Sequence, residues 1–227
     1  MGFKAVIFDM DGVVVDSEGI YGDYCLELHY ASRFPEPISP SNKDVPLPFT
    51  LRQLIPQLAS KRPSDVLIEQ YGYPEMLRPI DERRLPTLFQ DYNTDHACKM
   101  PVPIFPGVVE ALCRLRDKGT SLALVTANSE ENMRFALSGH EGLFDFIATN
   151  RGFPHKIDGL RAALDSLRAR PEDVLYVGDT ATDHAYAQEL GLPFCWVPYG
   201  WQQPPEGSNG FLRPRTKKEL SELLLKK

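Results

Sequence analysis

Asp9 and Asp11 stand two residues apart directly after the apolar run Ala5-Val6-Ile7-Phe8, within the stretch Asp9-Met10-Asp11-Gly12-Val13-Val14-Val15-Asp16-Ser17. Two carboxylates crowded at the end of a buried strand repel each other and lose solvation unless a proton or a cation compensates. A hard divalent ion does so, and magnesium, which also partners phosphate oxygens, suits an oxygen-only site of this kind. Standing alone, such a pair reads more readily as a solvated turn. Three later segments keep it from standing alone. Leu124-Val125-Thr126-Ala127-Asn128-Ser129 is an apolar run that ends in hydroxyl and amide groups. The Thr126 hydroxyl and the backbone N–H groups of a helix start can hold an anion there, or merely cap the helix. Lys156 opens a helical pattern, where a cation opposes the macrodipole; a nearby phosphate would account for it, as would plain solvent exposure. Finally, Val174-Leu175-Tyr176-Val177-Gly178-Asp179 brings another strand-like run to an acid, with Asp183 four residues on. Gly178 permits close backbone approach, and Asp183 can also begin a helix.

The elements that must position these groups are legible from periodicity. Ala5–Phe8, Leu122–Val125, Val174–Val177 and Phe194–Val197 are short and continuously apolar, as strands buried on both faces are. Between them lie helical patterns, Val109, Leu112 and Leu115 before Gly119, and Ile157, Leu160, Leu164 and Leu167 before Pro171. The alternation predicts an α/β fold with right-handed βαβ units and a mostly parallel central sheet flanked by helices. Ligands of such sheets sit at the carboxyl ends of the strands, where this chain puts its acids. Residues 16–100 do not join the alternation. Ile20, Tyr21, Tyr24 and Leu28 have helical spacing, and residues 34–49 carry Pro35, Pro37, Pro40, Pro46 and Pro48, which no central strand tolerates. Short helices are expected at 51–58, where Pro56 would end or kink the helix, at 65–71 and at 85–96. The chain thus divides into a core of residues 1–15 and 101–227 and an inserted helical cap of residues 16–100.

Composition narrows the partners. With 227 residues, 42% of them hydrophobic, the chain can bury a sizeable core. A net charge of -6 without a basic block favours neither nucleic acid nor a membrane surface, although a small anion can still bind a locally positive pocket. Cys25, Cys98, Cys113 and Cys195 form no C-x-x-C pair, so neither a zinc cluster nor a disulfide framework is expected. The opening MGFKAVIFD reaches a charge too early for a signal peptide, and Val6 stands where myristoylation wants Ser or Thr; a cytoplasmic protein is expected.

DMDGVVVDS and VGDTATD resemble the D-x-D-G-x-x-x-D-S and G-D-x-x-x-D patterns of the haloacid dehalogenase-like superfamily, and LVTAN resembles its hydrophobic run ending in Thr or Ser. Lys156 matches its lysine, followed here by Ile157 where proline is common; Arg151 fits the spacing less well. The resemblance covers roughly residues 3–16 and 104–197. It implies a Rossmann-like core with a helical cap inserted after the first motif, as in the phosphoglycolate phosphatase and β-phosphoglucomutase-like branch. It further implies a magnesium-dependent phosphatase acting on a small phosphorylated metabolite. By the resemblance, Asp9 attacks phosphorus to form an aspartyl-phosphate, and Asp11 protonates the leaving oxygen and then deprotonates water. Magnesium would be held by Asp9, the Asp11 backbone carbonyl and Asp179, with Asp183 beside them. Thr126, Ala127, Asn128 and Lys156 would hold substrate and the transferring phosphoryl group. Two other readings share these residues, a mutase that passes the phosphoryl group to a sugar and a non-catalytic phospholigand-binding module. Arg52, Lys61 and Arg62 of the cap could reach a substrate, although solvated surface charge accounts for them more readily. The substrate's identity and the oligomeric state are not encoded legibly, and Leu223-Leu224-Leu225 could pack within the chain or against a second copy.

Overall fold

The computed structural model describes residues 2–33, 50–58, 61–95, 102–204, 210–215, 219–220 and 222. The proline-dense stretch and the C-terminal leucines therefore lie outside the described residues. Five strands, β1 (Ala5–Phe8), β2 (Ser121–Val125), β3 (Phe146–Ala148), β4 (Val174–Gly178) and β5 (Phe194–Trp196), form one parallel sheet in the order β3-β2-β1-β4-β5. Their continuous apolarity has the expected cause, since successive residues alternate between two separate apolar clusters. Val6, Phe8, Leu122, Leu124 and Val177 join one, and Ala5, Ile7, Ala123, Val125 and Tyr176 the other. Edge strand β3 was not anticipated: three residues give too short an apolar run to register.

Four helices make the connections, α6 (Val108–Asp117), α7 (Glu130–Leu137), α8 (Lys156–Leu167) and α9 (Ala181–Leu190). The chain runs outward from β1 to β2 and β3, then returns to the other side for β4 and β5. The strand order thus reverses between β1 and β4, and a crevice opens at their carboxyl ends.

The described part of the inserted segment is helical: α1 (Glu18–Arg33), α2 (Leu51–Leu58), α3 (Pro63–Tyr71), α4 (Arg78–Arg84) and α5 (Leu88–Asp95). Its entry and exit passages pair through Asp16 N–H to the Pro103 carbonyl (2.9 Å) and Phe105 N–H to the Val14 carbonyl (3.0 Å). Helix α2 continues two residues beyond Pro56, and α3 starts at Pro63, where a missing N–H is harmless. The helix expected at 85–96 begins with a 3-10 turn over Leu85–Thr87 before α5, and α4 was not foreseen because RPIDERR has almost no apolar period. Tyr24, Leu28, Leu54, Leu77 and Phe89 belong to the same apolar cluster as Phe8 and Leu124, so the helical layer shares the core of the sheet.

Asp81 ties this layer together. Fully buried, it accepts hydrogen bonds from the Tyr24 hydroxyl (2.7 Å) on α1 and the Ser64 amide (2.8 Å) on α3. Asp81→Ala leaves both donors unsatisfied and should lower the unfolding free energy by about 3 kcal/mol, read from urea denaturation. Among the described residues no helix is long and apolar enough to cross a membrane.

Candidate active site

Asp9 follows the last residue of β1, its amide donating to the Val177 carbonyl of β4 (3.0 Å). Its Oδ1 accepts from the Met10 amide (2.7 Å) and pairs with Lys156 Nζ (2.8 Å). Oδ2 has no hydrogen bond among the described residues. Burial pushes the Asp9 carboxyl up to about 7, with Lys156 pulling the other way and the charges of Asp183 and Asp11 adding to the rise.

Lys156 opens α8, and its side chain reaches both Asp9 and Asp183 Oδ1 (2.7 Å). Burial alone would lower its pKa, but Asp183 and Asp9 carry it well above the ordinary lysine value, so it stays charged. The unfavourable position at a helix start is thus explained by two buried carboxylates. Arg151, the weaker alternative by spacing, is exposed and paired with Glu130 (3.0 Å).

Asp183 is the third residue of α9 and closes a capping box with Thr180. Its Oδ2 accepts from the Thr180 hydroxyl (2.6 Å) and amide (3.2 Å), and its Oδ1 accepts from Lys156 and the Tyr176 hydroxyl (2.5 Å). Burial would raise this acid, yet Lys156, Thr180 and Tyr176 hold it below the usual carboxylate range. Both oxygens are already engaged.

Asp179 differs. It is fully buried at the end of β4, its Oδ2 accepts from the Trp201 amide (2.6 Å), and its Oδ1 has no partner among the described residues. Burial, then the charges of Asp9 and Asp183, raise its pKa well above the ordinary value. Two glycines leave room for this carboxylate. A Cβ on Gly12, whose φ is +74°, would lie 2.2 Å from Asp179 Oδ2, and one on Gly200 would lie 2.1 Å from the Asp179 Cβ. Asp9, Asp179 and Asp183 each bring a carboxylate oxygen within 4.8 Å of the others. An orphaned buried oxygen, hard donors alone and two acids forced towards protonation are the features a divalent hard cation would relieve. The residues present therefore fit such an ion.

Asp11 faces the opposite wall. It accepts from Ser17 Oγ (2.5 Å) and from Asn128 Nδ2 (3.0 Å), and burial outweighs both bonds and raises its pKa. Thr126, at the end of β2, accepts from the Asn128 amide (3.0 Å), which leaves its hydroxyl hydrogen available, and the Ala127 amide is free of hydrogen bonds among the described residues. Asn128 is expected to hold substrate; the hydrogen bonds of its side chain are made within the protein: Nδ2 donates to Asp11 and the Tyr21 hydroxyl (3.1 Å), and Oδ1 accepts from the Ser129 amide (2.9 Å) and Asn132 Nδ2 (2.8 Å).

Asp9, Asp11, Thr126, Ala127, Asn128, Lys156, Asp179 and Asp183 all line one cavity of about 720 Å³ between the sheet edge and the helical layer. Tyr21, Lys61 and Arg62 line it from the helical layer, whereas the Arg52 side chain lies outside what is described. Sequence reasoning did not single out Tyr21 as a site residue and missed Trp201 altogether. Their rings meet edge to face at 5.2 Å on the cavity wall, and the Trp201 indole N–H is buried without a partner among the described residues. The signal for Trp201 was positional, since it sits in the loop after β5, at the carboxyl edge of the sheet.

Comparison with known proteins places this geometry in context. A family model described as haloacid dehalogenase-like hydrolase matches residues 6–197. The chain is 27% identical over 210 residues to a phosphoglycolate phosphatase of Rhodobacter capsulatus, covering 88% of this chain and 87% of that protein. It is 29% identical over 208 residues to a phosphoglycolate phosphatase of Synechococcus elongatus, covering 87% and 85%. Its fold matches CbbY from Rhodobacter sphaeroides, solved in complex with phosphate, with a TM-score of 0.68 at 22% identity over 93% of this chain and 92% of that one.

Proposed function

This chain belongs to the haloacid dehalogenase-like hydrolase family, and from that premise we propose that it is a magnesium-dependent phosphatase that cleaves a small phosphomonoester through an aspartyl-phosphate on Asp9. The observation that carries the reading is the setting of Asp9. It lies at the strand-order reversal, held through one oxygen by Lys156, with the partnerless oxygen of Asp179 on one side and Asp11 two residues away. Asp9 Oδ2 attacks phosphorus in line, the new O–P bond forming as the bond to the leaving oxygen breaks. The carboxyl of Asp11 delivers its proton to that oxygen, then takes one from the water that cleaves the acyl-phosphate. The Thr126 hydroxyl, the Ala127 amide and Lys156 hold the transferring phosphoryl oxygens. Asp9, Asp179 and the Asp11 backbone carbonyl would hold Mg2+, whose charge lets one anion approach another. With both oxygens engaged, Asp183 serves by holding Lys156 in place. The helices of residues 16–100 act as the cap over this site.

Purified protein with Mg2+ should release phosphate from some member of a panel of phosphorylated sugars, nucleotides, cofactor precursors and 2-phosphoglycolate, the last suggested by the names of two relatives. Failure to cleave any phosphomonoester, with or without Mg2+, would overturn the proposal. Gly200→Ala offers a separate check on the cation site. The added methyl must displace Asp179 or the loop carrying Trp201, so Mg2+ affinity measured by calorimetry should fall about 10- to 100-fold.

A further inference from the structure

Asn132 is wholly buried on α7, and every polar atom of its side chain is used. Its Oδ1 accepts from the Phe89 amide (3.0 Å), and its Nδ2 donates to the Leu85 carbonyl (2.7 Å) and to Asn128 Oδ1 (2.8 Å). Backbone groups fix how both amides are turned. The Phe89 N–H demands an oxygen from Asn132, so Asn132 must offer its NH2 to Asn128. The Ser129 N–H likewise demands the Asn128 oxygen (2.9 Å), and the Asn128 NH2 is thereby aimed at Asp11 Oδ2 (3.0 Å) and the Tyr21 hydroxyl (3.1 Å). Leu85 and Phe89 belong to the helical layer, and Asp11 to the loop after β1. Two buried amides in series therefore join the docked layer to Asp11. A second bond in the same place, Ser129 Oγ to the Pro86 carbonyl (2.5 Å), keeps the 85–89 segment seated on the start of α7.

We propose that Asn132 and Asn128 are positioning residues that couple docking of the 85–89 segment to the orientation of Asp11, so that its carboxyl is aimed at the leaving oxygen only when the helical layer is seated. The inference rests on the reading of Asp11 as the general acid. Asn132→Asp tests it most sharply. The carboxylate still accepts from the Phe89 amide but turns an oxygen towards both Leu85 O and Asn128 Oδ1, and the pair can no longer present a donor to Asp11 without losing another bond.

The assay compares kcat/KM for phenyl phosphate and p-nitrophenyl phosphate, which are similar in shape but differ in how much the leaving oxygen needs a proton. This parameter covers the steps up to loss of the leaving group, so later hydrolysis of the acyl-phosphate does not enter. Asn132→Asp should lower kcat/KM for phenyl phosphate about 10- to 100-fold and for p-nitrophenyl phosphate less than about 3-fold. In an Asp11→Asn background the same substitution should change phenyl phosphate turnover by less than about 3-fold, since the acid it positions is gone. Asn128→Ala, on the cavity wall, should reproduce the substrate dependence and takes the place of Asn132→Asp should that variant fold poorly. Equal losses on both substrates, while Asp11→Asn itself discriminates between them, would overturn the coupling and leave the acid assignment standing. Absence of discrimination in Asp11→Asn would overturn both.

Discussion

Asp9→Asn should reduce phosphate release by at least about 10⁴-fold while leaving the protein folded. The amide retains the size of the carboxylate and can still accept from the Met10 amide and Lys156, so the local frame at the end of β1 has no reason to move. It cannot attack phosphorus, and among the described residues no other carboxylate stands where it could substitute. Asp11 is turned to Ser17 and Asn128, Asp183 is engaged through both oxygens, and Asp179 is tied to the Trp201 amide. Wild-type turnover in this variant would sink the mechanism.

The same substitution makes a prediction about stability without added cation. Burial raises Asp9 to about 7 and Asp179 well above its ordinary value. An acid whose pKa is higher in the folded than in the unfolded chain takes up protons on folding. Its contribution is complete below about 4 and is lost as pH rises through its folded value. In EDTA the wild-type protein should therefore lose thermal stability between pH 5 and pH 8 beyond what the Asn variant loses, and Mg2+ should restore more of it at pH 8 than at pH 5. A melting temperature with the same pH dependence in both proteins would contradict the burial argument.

What the sequence made legible here follows from where its information is local. A strand buried on both faces needs an unbroken apolar run, and when such a run stops at a carboxylate the stop is visible, as at Asp9 and Asp179. The parallel order follows from the helices between the runs. Roles that depend on a partner distant in sequence left little trace. Asp183 could be read as a ligand or a helix start; the local capping box with Thr180 takes its Oδ2, and only the distant Tyr176 on β4 and Lys156 on α8 reveal that Oδ1 is engaged as well. Asn132 looks like any polar residue on a short helix, and its importance comes from Leu85 and Phe89, more than forty positions earlier. Asn128 drew attention by its place after β2, but the turn of its amide is set by the Ser129 N–H, which periodicity cannot show. Helix α4 escaped because its sequence offers charge where a pattern search looks for apolar spacing.

Lys156→Met is the substitution expected to move turnover and cation binding in opposite directions. Its ammonium is the cation that pairs with both Asp9 and Asp183, and those two acids keep it protonated despite burial. Removing one partner of a buried charge pair leaves the other uncompensated, and here two carboxylates are left, so the cation-free protein should lose about 3–5 kcal/mol of unfolding free energy at neutral pH. Methionine fills much of the vacated volume, which confines the loss mainly to electrostatics. Turnover should fall about 10²- to 10³-fold, because a fixed positive charge aimed at the phosphoryl oxygens is gone. Mg2+, by contrast, should bind more tightly, since the ammonium that competes for Asp9 no longer repels it. Asp179→Asn supplies the opposite pattern, losing turnover and Mg2+ affinity together, because it removes a carboxylate ligand and no competing charge. Were Lys156→Met to lose Mg2+ affinity in parallel with activity, the lysine would be a support for the aspartates and not a group that acts on the phosphoryl oxygens.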